Sequence, residues 1–286
     1  MDPVALAARG ESLWHRLGLA ALGIGWVEAE DGAVAWRGGP SSPVFLGALS
    51  LRAGVPAARL AAAVGGLAGE LAVRDAGGSE DLGPLGFVLQ AREPWMLRPP
   101  GPVDAVPGPP GLTVAPCREP AEVERFERTS VEGFTGATTS WKPGTVHPPA
   151  AGLRVPGLTL LLARLDGQPV GTAIAASDGE VLNVGGVAVV AAARRQGVGA
   201  RLTAACLATA PDLPAVLSSS EEGHALYRAL GFTDVGPSTL WWRPAPGAPR
   251  RLSGAVPQCL AWPGTTGSPS PPTTGWRITS WGCATG

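Results

Sequence analysis

Apolar and polar positions between residues 112 and 244 alternate between two periods, one fitting strands and one fitting helices. Residues 111–116 read as a short strand. Residues 119–134 read as a helix, with Val123, Phe126, Ser130 and Phe134 on one face and Glu122, Glu124 and Arg128 mostly outward. Residues 158–165 form a continuous apolar strand, and Asp166-Gly167 turns the chain into a second strand over 169–176. A turn at Ser177-Asp178-Gly179 leads to a β-branched stretch over 180–190. An alanine-rich helix follows over 198–210 and stops at Pro211. Residues 215–218 are a short buried strand. A helix then runs to Leu230 and stops at Gly231, and closing strands lie near 232–235 and 240–243. This pattern predicts an α+β (mixed α/β) domain on one sheet.

Proline and glycine mark the seams. Residues 99–111, with Pro99-Pro100-Gly101-Pro102 and Pro107-Gly108-Pro109-Pro110-Gly111, read as a stiff connector of the polyproline type. Beyond about residue 246 periodicity is lost, Gly, Pro, Ser and Thr accumulate, and Trp262, Trp276 and Trp281 stand isolated. A disordered tail over 246–286 is expected. The first hundred residues echo the later ones at a constant offset of 145 positions: Leu85-Gly86-Phe87 matches Leu230-Gly231-Phe232, and Trp95-Met96-Leu97-Arg98-Pro99 matches Leu240-Trp241-Trp242-Arg243-Pro244. Chance could produce so short an echo. Residues 57–70 are a plausible helix there. Organisation is therefore expected as a lobe over 1–100, a linker over 101–111 and a second lobe over 112–245.

Composition narrows the classes. In 286 residues, 45% are hydrophobic and 16% charged, which fits a globular core. The net charge of −1 gives no support to a nucleic-acid surface. Cationic charge is almost all arginine, with Lys142 the sole lysine. Together with abundant Ala, Gly, Pro and Trp, this reads as a GC-rich bacterial gene. Cys117, Cys206, Cys259 and Cys283 form no C-x-x-C pair, and His15, His147 and His224 share no ligand spacing with them, so no metal site is expected. The N-terminus lacks a signal-peptide plan and no run approaches a membrane span. The expectation is a cytoplasmic protein with no membrane or nucleic-acid partner.

The candidate chemistry begins at Arg194-Arg195-Gln196-Gly197-Val198-Gly199-Ala200, a glycine turn between a strand and a helix N-terminus. Such a turn can cradle an anion with backbone N–H groups, although R-x-x-G-x-G alone is weak in so arginine- and glycine-rich a chain. Its ordered context is more specific: Val187-Ala188-Val189 before it, Ser218-Ser219-Ser220 after the next strand, and then Ala225-Leu226-Tyr227-Arg228-Ala229-Leu230-Gly231-Phe232 around the sole tyrosine. On these residues the segment 112–244 resembles the GNAT superfamily of N-acetyltransferases. The resemblance implies a central, mostly antiparallel sheet flanked by helices, in two tandem lobes. The counterpart of Tyr227 in the first hundred residues is Leu82, and R-x-x-G-x-G is missing there, so that lobe would be a degenerate copy.

The resemblance implies acetyl-CoA as co-substrate and no metal. Amides from Gln196 to Ala200 would meet its diphosphate at the helix N-terminus, with Gly197 and Gly199 allowing close approach and Arg194 and Arg195 adding charge. The main chain of Val187, Ala188 and Val189 would pair with the pantetheine arm and polarise the thioester carbonyl. Tyr227 would be the general acid, since a phenol with an ordinary pKa near ~10 stays protonated at neutral pH; the alternative is a tyrosine packed beside Leu230. Ser220 stands where the family often has asparagine and is kept as a cofactor contact, while Glu221-Glu222 suit a helix start. Glu132 is the candidate general base, with Glu127, His147 and a water as competitors, and Trp141 and Lys142 lie in a loop beside the acceptor. The implied activity is acetyl transfer to a primary amine of a small-molecule or peptide acceptor, by direct attack in a ternary complex, in a monomer or homodimer. The alternatives are a non-catalytic acyl-CoA-binding or regulatory protein and a ribosome-directed acetyltransferase, the latter without support from a basic patch.

Overall fold

The computed structural model describes residues 1–39, 44–136 and 142–244. The tail over 246–286 and Trp141 lie outside the described residues. The chain opens with α1 (Pro3–Ala21), capped by Asp2, whose carboxylate accepts from Ala5 N at 3.1 Å, with proline in its first turn. It continues through β1 (Trp26–Glu28), β2 (Val34–Arg37), β3 (Ala48–Ser50), α2 (Ala57–Ala63), β4 (Leu71–Asp75) and β5 (Val88–Arg98). The later part comprises β6 (Leu112–Pro116), α3 (Pro120–Thr135), α4 (Pro149–Gly152), β7 (Leu158–Leu165), β8 (Gln168–Ser177), β9 (Leu182–Val189), α5 (Val198–Leu207), β10 (Ala215–Ser218), α6 (Glu221–Ala229) and β11 (Thr233–Arg243). The mixed α/β architecture matches the expectation from hydrophobic patterning.

All eleven strands join one sheet, in the order β1-β2-β3-β4-β11-β5-β10-β9-β8-β7-β6. Among the described residues only β3/β4 and β9/β10 pair parallel. The offset of 145 that relates the two sequence echoes also carries β5 onto β11 end to end. These two strands pair antiparallel with Glu93 opposite Ser238, so equivalent positions face each other at the centre of the sheet. Consequently β5 lies against β10, and β11 lies against β4.

Two expectations are corrected. The separate closing strands near 232–235 and 240–243 are the single strand β11. Across Gly236-Pro237 the pairing with β5 continues, register shifts beside Gly236 and at Leu240/Trp241 absorb the irregularity, and β4 joins from Thr239 onward. The helix expected over 57–70 ends at Ala63, with Val64 as its C-cap, because Gly65-Gly66 gives it no reason to continue.

One face of the sheet carries α1 and α3, with Trp14, Phe126, Leu160, Leu162 and Ile174 in its core. The other carries α5, with Leu161, Val187, Val198, Leu202 and Tyr227. Helix α1 lies largely over β8, β9 and β10. Gly10 permits that approach, since a Cβ there would overlap the Val216 side chain.

A buried charge cluster ties the centre together. Arg74 on β4 is fully buried and donates to Glu93 Oε2 and Ser238 Oγ, each at 3.0 Å. Its Nε lies 3.6 Å from Glu11 on α1, and its guanidinium sits 5.4 Å from the Trp95 ring centre. Burial pushes the Glu11 carboxyl up, but the Arg74 charge and His15 outweigh it and hold it below the usual range. Replacing Arg74 with Ala strands the Glu93 and Glu11 carboxylates, and a loss of about 3–5 kcal/mol is expected in denaturant unfolding.

His147 is 3% exposed, packed edge-on against Phe126, and burial lowers its pKa to about 4. Below the unfolded value near ~6.5 the unfolded chain takes up the proton first, so stability is lost as pH falls from there toward 4. His147→Phe is expected to flatten that slope in acid-titrated melting curves.

Candidate active site

Strands β9 and β10 pair only at Leu182↔Ala215 and Asn183↔Val216. Beyond that level β9 stays with β8 as far as Val189↔Gly171, while β10 stays with β5 as far as Ser218↔Trp95. The sheet therefore opens between Val184–Val189 and the end of β10. A register shift separates Ala188 and Gly185 in the β8 pairing, and Gly186 takes a left-handed φ of 58° at that bulge.

At the top of β9 a short 3-10 turn (Ala191–Ala193) leads to Arg194. Arg195 then adopts a φ of 63° and Gly197 a φ of 82°. Gly197 is the N-cap of α5, and no side chain caps that helix. The result is a concave run of amides at a helix N-terminus, carrying the partial positive charge of the dipole.

Arg194 is turned away from this concavity. Its Nε donates to Val189 O at 3.1 Å and its Nη2 to Gly133 O at 3.0 Å, so it staples the end of β9 to α3. Gly133 makes the junction possible, because a Cβ there would lie 2.9 Å from Ala188 Cβ. Arg195 and Gln196 are exposed, and Gln196 Nε2 donates to Ala192 O. Gly199 lets α6 approach, with Leu226 Cδ1 at 3.3 Å from where its Cβ would be.

Tyr227 projects from α6 into the core shared by β9, β10 and α5, is 2% exposed, and meets the Phe232 ring at 6.0 Å and 69°. Ser220 is buried and caps α6, its Oγ accepting from Gly223 N at 3.1 Å; Glu221 and Glu222 occupy the first turn. Glu132 is exposed on α3, on the opposite face of the sheet, in a cleft of about 540 Å3 with Arg125, Arg128 and Arg164. Of its competitors, Glu127 is 1% exposed and accepts from the amides of Gly144, Val146 and His147, which anchors the loop to α3.

The other parallel pair of the sheet is β3/β4, and beyond its end the chain satisfies free amides with its own side chains. Glu80 accepts from Ala57 N at 2.8 Å, at the start of α2. Asp75 takes the amides of Gly77 and Glu80, and Ser50 Oγ takes Ala76 N at 2.7 Å. Leu82, the counterpart of Tyr227, is fully buried.

The connector after β5 also reaches the cradle. Arg98 holds it by donating to the carbonyls of Pro99, Gly101 and Pro102, and Gly101 N donates to Pro211 O. Pro107 O then lies 3.3 Å from the Cβ position of Gly197. The sequence reading missed this contact, the Arg194 staple and the role of Gly133. The Pro/Gly pattern over 99–111 signalled a stiff connector, but carried no information about its distant partners.

Residues 156–234 match the family model described as an acetyltransferase (GNAT) domain. Similar solved structures include a GCN5-related N-acetyltransferase from Kribbella flavida, 22% identical, with 85% of this chain and 96% of that chain covered at a TM-score of 0.56. A putative GNAT-family acetyltransferase from Novosphingobium aromaticivorans is 18% identical, with 83% and 98% covered at 0.53. A functionally unknown conserved protein from Staphylococcus epidermidis is 12% identical, with 76% and 93% covered at 0.54. No functionally curated protein matches the sequence. The match to the acetyltransferase (GNAT) domain model spans the opened strands, the glycine turn and α6, and the similar solved structures share the fold. Among the described residues no helix is long and apolar enough to cross a membrane, and no cluster of His, Cys, Asp or Glu could hold a metal.

The left-handed φ at Gly197 and the nearby Pro107 carbonyl make a side chain costly there. Gly197→Ala is expected to lower stability by about 1–2 kcal/mol in denaturant unfolding.

Proposed function

We propose that this protein is an acetyl-CoA-dependent N-acetyltransferase that acylates a primary amine by direct attack. The observation that supports this most is the uncapped N-terminus of α5, preceded by two left-handed residues and set beside the opened β9/β10 pair. The amides from Gln196 to Ala200 hold the diphosphate. Gly197 and Gly199 keep the backbone accessible, and Arg195 contributes charge from its exposed position. Arg194 acts through position, fixing the end of β9 rather than touching the anion. The main chain of Val187, Ala188 and Val189 supplies the edge for the pantetheine arm, and its amides favour the thioester carbonyl as negative charge develops there. Ser220 Oγ caps α6, and its proton stays available for the arm.

In the transfer step the amine lone pair attacks the thioester carbon. One N–C bond forms and one C–S bond breaks. The departing sulfur takes a proton from the Tyr227 hydroxyl, and the acylated nitrogen gives one up, so the products are an amide and a free thiol. The base that receives the nitrogen's proton is Glu132, through water, or water alone; Glu127 and His147 are held inside the fold by the loop that they anchor. Acetyl-CoA serves as co-substrate, and no metal takes part. The protein works in the cytoplasm as a monomer or homodimer, without nucleic-acid or membrane partners. Residues 1–100 form a lobe that has lost the cradle and the tyrosine, residues 112–245 form the catalytic lobe, and the two exchange their last strands.

Tyr227→Phe is expected to lower the transfer rate by ~10²–10⁴ while acetyl-CoA affinity is retained. An unchanged rate in a thiol-release assay removes Tyr227 from the mechanism. Tight acetyl-CoA binding without turnover of any amine identifies the protein as an acyl-CoA-binding one instead.

A further inference from the structure

Tyr227 stands in the last turn of α6, a helix of nine residues, and helix ends fray unless their last carbonyls are held. The amides of Leu230 and Phe232 donate to Tyr227 O at 3.0 and 3.1 Å, around Gly231 with its φ of 88°. Leu230 is the C-cap of the helix, and its carbonyl accepts from Arg98 Nε at 3.0 Å. The same guanidinium donates through Nη1 to Pro99 O and Gly101 O, each at 3.3 Å, and through Nη2 to Pro102 O at 2.6 Å. All three nitrogens are thus committed to carbonyl oxygens, and the cation lies where the dipole of α6 is negative. The offset of 145 carries Arg98 onto Arg243, which donates to Val64 O, at the C-cap of α2, and to Leu67 O, at 3.3 and 2.7 Å. Each exchanged strand therefore ends on an arginine that holds a helix end, but only the helix held by Arg98 carries a phenol.

We propose that Arg98 is the positioning residue of Tyr227: it fixes the last turn of α6 to the end of β5, and so holds the hydroxyl where the departing sulfur takes its proton. The inference rests on the acetyltransfer reading and adds to it a residue outside the 156–234 match. A proton donor displaced by about 1 Å can lose on the order of 10²-fold in rate, so slight loosening of one turn is enough. Lysine is no substitute, because one ammonium on a flexible stem cannot hold the carbonyls that surround a planar fork. The cradle is held separately, by the Arg194 bonds to Val189 O and Gly133 O. The connector likewise keeps bonds of its own, from Gly101 N to Pro211 O and from Leu112 N to Pro109 O. Arg98 therefore acts on the proton transfer and not on acetyl-CoA binding.

The test uses the full chain, a thiol-release assay with hexylamine, benzylamine, spermidine and a lysine-containing peptide, and acetyl-CoA binding by calorimetry, all well below the melting temperature of each variant. For the amine turned over fastest, Arg98→Ala is expected to lower kcat at least about tenfold with acetyl-CoA affinity unchanged. Arg98→Lys is expected to lower it likewise, and carries the test alone if Arg98→Ala does not fold. Arg243→Ala removes the equivalent arginine from the other junction and is expected to leave kcat unchanged. In a Tyr227→Phe background the Arg98 substitution is expected to cost less than about twofold, because a residue that acts through the phenol then has nothing to position. An unchanged kcat in the Arg98 variants, an equal loss in Arg243→Ala, or a full further loss in the Tyr227→Phe background overturns the proposal. A wild-type chain that turns over none of these amines overturns the acetyltransfer reading itself, a failure read before any variant is made.

Discussion

The antiparallel pairing of β5 with β11 is the constraint on which the other elements depend. Each of these strands closes the half of the sheet to which its own sequence does not lead: β5 supplies the neighbour of β10, and β11 the neighbour of β4. The pairing cannot slip by one residue without moving Glu93 and Ser238 off Arg74, because successive side chains point to opposite faces. Arg74 is thus a register pin as well as a charge partner. Its burial is tolerable only because hydrogen bonds to a carboxylate and a hydroxyl replace the water it gives up.

The cradle inherits its shape from that sheet. The end of β10 is held to β5 and parts from β9 beyond Asn183↔Val216. Backbone geometry does the rest, with left-handed residues at Arg195 and Gly197 turning the amides toward one point. At the β3/β4 pair the chain closes the comparable arrangement itself. There Glu80, Asp75 and Ser50 satisfy the amides internally, and a leucine fills the place of the phenol. A helix N-terminus needs an anion or acceptor in either case, and this chain answers once with its own side chains and once with an open cradle.

Local elements were legible where their information is local. The strand over 158–165, the turn at Asp166-Gly167 and the strand over 215–218 were readable from period and turn chemistry alone, and the structure has them at those limits. The Gly231 stop likewise follows from one positive φ, here 88°. The exchange of β5 and β11 was not legible. Two matches at an offset of 145 indicated similarity, but similarity does not say which neighbour a strand takes. The continuous β11 was hidden by Gly236-Pro237, whose break signal was overridden by unbroken pairing with β5. Helix α1 was obscured by Gly10 and Gly18, which weaken a helical pattern locally and are there for contacts with Val216 and Phe45.

Tyr227 stands on the α5 face of the sheet, whereas Asn183 and Gly185 face α1. A sheet whose strands stayed paired would keep these faces apart, since a continuous ladder of hydrogen bonds leaves no passage. Here the ladder between β9 and β10 ends at Asn183, so the residue with the unpartnered amide sits at the base of the opening. Beyond that level no β9/β10 ladder separates the two faces. That geometry requires β10 to be held from the far side by β5, and α1 to lie over the opening, and both come from the first hundred residues. The N-terminal part therefore bounds the opening between β9 and β10, through β5 on one side and α1 above.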